Sequence, residues 1–257
     1  MRTATGELLE FEGHDGDTVR GLWFPPAGGP ASGTPAPGIV LVHEVFGTDH
    51  FVCDVAARFA AEGYAVLAPD LYSREGLPGP RATDADPAPG WTPEQVRAAV
   101  GRMPDRRALA DLDGAARALG ERPDVAADRL AVVGFCMGGN YAYLLGCISD
   151  RVAAVVDFYG RIVYPQLSRE KPSQPLEMVL NLGCPLLGLF GDEDASIPVA
   201  DVELMRAALT QAAKTFELHV YEGAGHGFFN HDRGGWREEA AADAWERTLA
   251  FLREWLA

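Results

Sequence analysis

From Gly38 onward, short uninterrupted apolar runs alternate with stretches whose apolar residues recur at helical spacing. The runs are Gly38–Val42, Tyr64–Ala68, Leu130–Gly134, Val152–Val156, Pro185–Phe190 and Phe216–Tyr221. A strand apolar at every position is buried on both faces, as strands of parallel sheets are. Between them, Phe51–Glu62, Pro104–Gly120, Met137–Gly146, Val199–Ala213 and Glu238–Leu256 read as helices. Such alternation predicts an α/β fold, a mostly parallel central sheet with crossover helices on both faces.

Upstream the period changes to two. Gly6–Glu12 and Asp17–Trp23 alternate polar with apolar residues around a turn at Gly13–Gly16, which predicts an N-terminal β-hairpin. Pro25–Pro37 reads as a surface loop. The last helix carries Ala241, Trp245, Thr248, Leu249, Leu252 and Leu256 on one stripe, so Trp245 is expected in the core. Two Pro-rich excursions, Leu77–Pro93 and Ile162–Pro175, exceed an ordinary connection and suit either substrate walls or solvated insertions. No repeat or composition break divides the chain, and residues 1–257 are expected to form a single domain.

Composition narrows the function classes. With 22 Lys and Arg against 37 Asp and Glu, the net charge of −15 argues against a nucleic-acid partner, whose phosphates need basic side chains. The start lacks the apolar stretch of a signal peptide, and no run is long enough to span a membrane. Cys53, Cys136, Cys147 and Cys184 are sparse and form no C-x-x-C pair, which predicts free thiols in a reducing cytoplasm. A cytoplasmic monomer without membrane contact is expected.

Chemistry concentrates where the strand Leu130–Gly134 runs into Gly134-Phe-Cys136-Met-Gly-Gly139 and then a helix. This is the context of a nucleophile elbow, a tight strand–turn–helix that exposes its central residue at the sheet's carboxyl end. Small neighbours relieve the crowding, and the helix N-terminus favours a thiolate. The competing reading of Cys136 is an inert buried thiol, the role assigned to Cys53, Cys147 and Cys184. The G-x-G-x-x-G spacing of a dinucleotide site is absent.

A thiol nucleophile needs a base and an orienting acid, in the chain order nucleophile, acid, histidine. Gly191-Asp-Glu-Asp194-Ala-Ser-Ile-Pro198 follows one late strand and Glu222-Gly-Ala-Gly-His226-Gly-Phe228 the next. Asp194 is the acid, with Asp192 in reserve, and His226 is the base. His14 and His219 are bystanders. His231 and Asp232 lack further ligands of recognisable spacing and read as solvated loop, and His43-Glu44-Val45-Phe46-Gly47 is not the H-E-x-x-H of a zinc site, so no metal is implied. Glu44 ends an apolar strand beside the expected nucleophile, either partly desolvated in the site or solvated at the surface.

With these residues in place the chain resembles the dienelactone hydrolase (carboxymethylenebutenolidase) family of α/β-hydrolases. The resemblance rests on His43–Gly47, Pro69-Asp-Leu-Tyr72, Gly134–Gly139, Gly191-x-x-Asp194-x-x-Ile197-Pro198, Gly223–Phe228 and Ala244–Phe251, spread in order over nearly the whole chain. It implies a cofactor-free hydrolase of small, anionic lactones or esters, of the kind that opens an enol-lactone to maleylacetate in aromatic-compound degradation, with a Cys136–Asp194–His226 triad. Glu44 would hold the resting thiol and take its proton, and the amides of Val45 and Met137 would form the oxyanion hole. The substrate-binding candidates are Arg74, which matches a family arginine, Tyr159, Asn230, which stands where the family has a second arginine, and Arg233, with Arg81 as a further helper. An esterase or thioesterase of unrelated substrate and a non-catalytic thiol-sensing protein are the alternatives.

Overall fold

A computed structural model describes residues 6–28, 34–74, 98 and 100–257. The hairpin forms as β1 (Glu7–Glu12) and β2 (Thr18–Phe24). The apolar runs become β3 (Ala36–Val42), β4 (Ala65–Pro69), β5 (Val125–Phe135), β6 (Ala154–Phe158), β7 (Leu186–Gly191) and β8 (Phe216–Tyr221). They join in one eight-stranded sheet of order β1-β2-β4-β3-β5-β6-β7-β8. The hairpin is antiparallel, β2 meets β4 antiparallel, and every pairing from β4 to β8 is parallel. This is the α/β-hydrolase fold with an N-terminal hairpin.

Helices α1 (His50–Ala61), α2 (Asp105–Gly120), α3 (Met137–Ile148), α4 (Val199–Gln211) and α5 (Glu238–Trp255) cover the sheet. Each starts within a residue of where the apolar period begins. Helix α1 turns Phe51, Val52, Val55, Ala56 and Phe59 inward, and the Asp49 carboxylate caps it by accepting from the Val52 amide at 3.3 Å. Trp245 of α5 is half-buried: its ring lies 4.6 Å from that of Phe59, and the Arg58 guanidinium covers it at 4.0 Å.

Parallel pairing places the carboxyl ends of β3, β5, β6, β7 and β8 along one edge of the sheet. The register aligns Val42 with Gly134 and Phe135 with Phe158. The segments beginning at His43, Cys136, Tyr159, Asp192 and Glu222 therefore emerge side by side. Of the two long excursions, Leu77–Pro93 lies outside the described residues. Ile162–Pro175 runs without regular structure into a 3-10 turn at Pro175–Asn181 and supplies a wall of the cleft above this edge.

Candidate active site

The junction of β5 and α3 determines where Cys136 stands. Its backbone has φ 56° and ψ −115°, a conformation costing a non-glycine residue about 1–3 kcal/mol. The turn is held by the Cys136 amide donating to the Phe158 carbonyl at 2.9 Å and by the Asn140 amide returning to the Cys136 carbonyl at 3.2 Å. Close packing explains the flanking glycines. A Cβ on Gly134 would collide with the Gly138 carbonyl, and one on Gly138 with the carbonyls of Val42 and His43.

Cys136, Asp194 and His226 come together across 90 positions of sequence. His226 Nε2 is 3.0 Å from Cys136 Sγ, and His226 Nδ1 is 2.7 Å from Asp194 Oδ2. Asp194 is buried and fixed by the Ser196 and Ile197 amides, which donate to its Oδ1 at 2.7 and 3.1 Å. Burial alone would lower the His226 pKa, but hydrogen bonds to Asp194 and Cys136 outweigh it and raise the value to about 10. The imidazolium is thereby favoured between a carboxylate and the sulfur. Asp192, the reserve acid, accepts instead from the Gly223 amide at 2.7 Å and shapes the turn before His226.

Glu44 is buried, which settles its two readings against the surface one. Its Oε2 accepts from Asn230 Nδ2 at 2.8 Å, and the Tyr159 hydroxyl donates to Oε1 at 3.4 Å. Desolvation raises its pKa to about 6, with the Asn230 bond pulling the other way. His226 is hydrogen-bonded to Cys136 Sγ, while Glu44 is held by Asn230 and Tyr159. Tyr159 itself has a left-handed φ of 43° and sets its ring 5.2 Å from that of His226.

The loop carrying Val45 is braced from beneath. The buried His43 is held neutral, burial lowering its pKa to about 4. The Leu71 amide donates to His43 Nε2 at 3.1 Å, so its proton sits on Nδ1 and is donated to the Glu44 carbonyl at 2.5 Å. The Tyr72 hydroxyl donates to the Val45 carbonyl at 3.0 Å, and Asp70 Oδ1 accepts from the Tyr72 amide at 3.0 Å. His43, Asp70 and Tyr72 were present in the quoted motifs, but nothing in their spacing reveals this bracing.

Above these groups opens a cleft of about 520 Å³ lined by Cys136, His226, Val45, Met137, Tyr159, Ile197, Arg161, Tyr164 and Lys171 among others. Three of the substrate-binding candidates do not face it. Arg74 is clamped by Asp111 at 2.5 and 2.7 Å and by Asp17 at 2.9 Å, tying α2 to the hairpin. Asn230 is fully buried and spends its amide on Glu44. Arg233 stacks on the Phe46 ring at 3.6 Å and reaches Asp49 at 3.8 Å, also outside the cleft lining. Arg81 lies outside the described residues. The basic groups on the cleft are Arg161 and Lys171, and sequence reading missed both because they sit on the Ile162–Pro175 excursion or at its edge. Lys171 is neutralised by Asp105 at 2.6 Å. Arg161 donates to the Ser196 carbonyl at 3.1 Å and, among the described residues, pairs with no carboxylate.

The other thiols are occupied with packing, burial raising Cys53 and Cys147 to about 12 and Cys184 to about 11. His219 pairs with Glu217 on β8, away from the cleft. His231 and Asp232 do gain a neighbour: His50, from the first turn of α1, brings a third ligand-bearing side chain to them.

Comparison with known proteins agrees with this geometry. The model of the dienelactone hydrolase family matches residues 26–256, nine-tenths of the chain. The chain belongs to the dienelactone hydrolase family. A protein of Salmonella typhimurium named "Putative carboxymethylenebutenolidase" is 37% identical over 227 residues, covering 88% of this chain and 79% of its own. A Bradyrhizobium protein named "Probable 2-oxo-3-(5-oxofuran-2-ylidene)propanoate lactonase" is 35% identical over 217 residues, covering 84% and 83%. The crystal structure titled "Putative Dienelactone Hydrolase" from Klebsiella pneumoniae superposes with a TM-score of 0.82 at 32% identity, covering 96% of this chain and 99% of that one. Family membership makes the protein a hydrolase of ester or lactone bonds. No helix among the described residues is long and apolar enough to cross a membrane.

Proposed function

We propose that the protein is a cysteine hydrolase of small anionic lactones or esters that works through an acyl-enzyme. The observation that carries the reading is Cys136 Sγ, 3.0 Å from His226 Nε2 on a strained elbow that opens into the cleft. The Cys136 thiolate attacks the carbonyl carbon, and the amides of Val45 and Met137, both on the cleft wall, receive the oxyanion. Collapse breaks the acyl C–O bond, and the His226 imidazolium protonates the leaving oxygen. Water then attacks the thioester with His226 as base, releasing the acid and restoring the thiol, while Asp194 keeps the ring oriented. Glu44, ionised at neutral pH with a pKa near 6, accepts the proton lost by the resting thiol.

Arg161 holds the substrate's carboxylate, because it is the cleft's one described cation not matched by an acid. The relatives' names support an anion: a butenolide bearing a carboxymethylene group and a lactone bearing a propanoate both join a carboxylate to the scissile ring.

A panel of dienelactone, other anionic lactones, neutral aryl esters and thioesters tests both parts. Cys136→Ala is expected to lose roughly 10⁴-fold or more in kcat, whereas Cys53→Ala keeps wild-type turnover. Equal activity of the two variants overturns the nucleophile. Arg161→Met is expected to lose roughly 10–100-fold in kcat/KM on anionic substrates and little on neutral ones. A uniform loss overturns the carboxylate contact and favours an esterase or thioesterase of unrelated substrate. Stoichiometric alkylation of Cys136 without turnover of any member favours the thiol-sensing reading.

A further inference from the structure

His50, His231 and Asp232 form a group that the hydrolytic site does not use. Their ligand atoms all lie within 4.8 Å of one another, at the surface. His50 Nδ1 is 3.2 Å from Asp232 Oδ2, and His231 Nε2 is 3.5 Å from Asp232 Oδ1. Ligands bound at zinc distances at the corners of a tetrahedron stand about 3.3–3.5 Å apart. The two measured distances run to the two oxygens of Asp232, so the carboxylate stands between the imidazoles, and one ligand atom from each of the three side chains lies within 4.8 Å of the others. Two imidazoles and one carboxylate suit a borderline divalent cation such as Zn²⁺ and not the all-oxygen preference of Mg²⁺ or Ca²⁺. Asp49 lies close enough for its charge to act on Asp232 and is itself met by Arg233 at 3.8 Å.

We infer that these three side chains bind a divalent transition-metal ion, with water in the remaining position, and that the ion clamps two segments of the active site. His50 opens α1 directly after the loop that carries Glu44 and Val45. His231 and Asp232 directly follow Asn230, the partner of Glu44, in the loop that begins with His226. The sequence hides the site because His50 and Asp232 are 182 positions apart.

The test is calorimetric titration of the full chain with Zn²⁺ at pH 7.5, followed by thermal unfolding with and without the ion. The Cys136→Ala variant removes the thiol that competes for zinc. It is expected to bind one equivalent and to gain about 5–10 °C in Tm at a hundredfold excess over Kd. The His50→Gln/His231→Gln double variant, in the same Cys136→Ala background, is expected to lose both the binding and the gain, while its ion-free Tm stays near that of the Cys136→Ala parent. Mg²⁺ is expected to do nothing. Zinc binding retained by the double variant places the ion elsewhere, and absence of binding in the Cys136→Ala protein leaves the cluster a His–Asp ion pair only. Either result overturns the inference.

Discussion

The pairing of Glu44 with Asn230 defines what one side chain does for the site. Asn230 accepts the Asp232 amide at 3.0 Å through its Oδ1 and donates to Glu44 through its Nδ2, so exchanging only that amino group for oxygen preserves the fold of the loop. Asn230→Asp places a second carboxylate 2.8 Å from Glu44 Oε2, and two buried carboxylates at that distance share a proton. On the proposed mechanism, in which Glu44 takes the thiol proton, that group then stays protonated to higher pH. The acid limb of the kcat/KM profile is expected to move up by about one to two units, with activity partly recovered above pH 8. An unshifted limb would mean that Glu44 does not titrate in the rate. Residues of this kind mark the limit of sequence reading. Cys136, Asp194, His226 and Glu44 could be singled out because each follows a strand end in a distinctive local pattern. Arg74 was misjudged because matching a position says nothing of which acid a guanidinium finds, here Asp111 on a helix thirty-seven positions later.

Elements were legible wherever burial was two-sided. β7, buried at every position, lies at Leu186–Gly191 within a residue of its apolar run, whereas β5 begins at Val125, five residues before its run, because Ala127, Asp128 and Arg129 are polar or exposed yet still extended. Strand order was not legible, since apolar runs do not record which neighbour each strand takes. The elbow joins the two levels: its glycines were noticed as turn residues, and the structure adds what they avoid. At Gly138 the obstacles are the backbone carbonyls of Val42 and His43, which also position the Glu44 loop and cannot give way independently. Gly138→Ala is expected to cost about 3 kcal/mol or more in urea unfolding and to lower kcat together with stability. Gly183→Ala, whose nearest obstacle is 3.8 Å away, is expected to stay within about 0.5 kcal/mol of wild type. Similar losses at both positions would refute close packing as the reason for Gly138.

Across the whole molecule the −15 charge meets a set of buried acids that resist ionisation. Burial raises Glu44 and Asp70 to about 6, raises Asp157 to about 7, and raises Asp49 as well. A carboxyl whose pKa is higher in the folded than in the unfolded chain binds its proton more tightly when folded. It costs stability above its folded value, and the cost disappears as pH falls toward the unfolded one. His226 acts in the same direction: raised to about 10, it contributes stability that is complete below its unfolded value of 6.5 and lost as pH climbs through 10. His43 opposes them only at the acid end, where its lowered value of about 4 costs stability once the pH drops below 6.5. Relief of self-repulsion as acids titrate adds to the first trend. The Tm is therefore expected to keep rising as pH falls to about 4.5, where the unfolded carboxyls begin to protonate, and to fall toward pH 9 in a calorimetric series. Among these acids Asp157 is raised furthest, by desolvation. Its Oδ1 accepts the Gly160 amide at 2.7 Å, a bond that asparagine keeps. Asp157→Asn is expected to raise Tm most at pH 9 and hardly at about pH 4, near the unfolded value of the acid. An equal effect at both pH values would show that the acid is ionised throughout and that its burial is compensated by contacts other than the Gly160 amide.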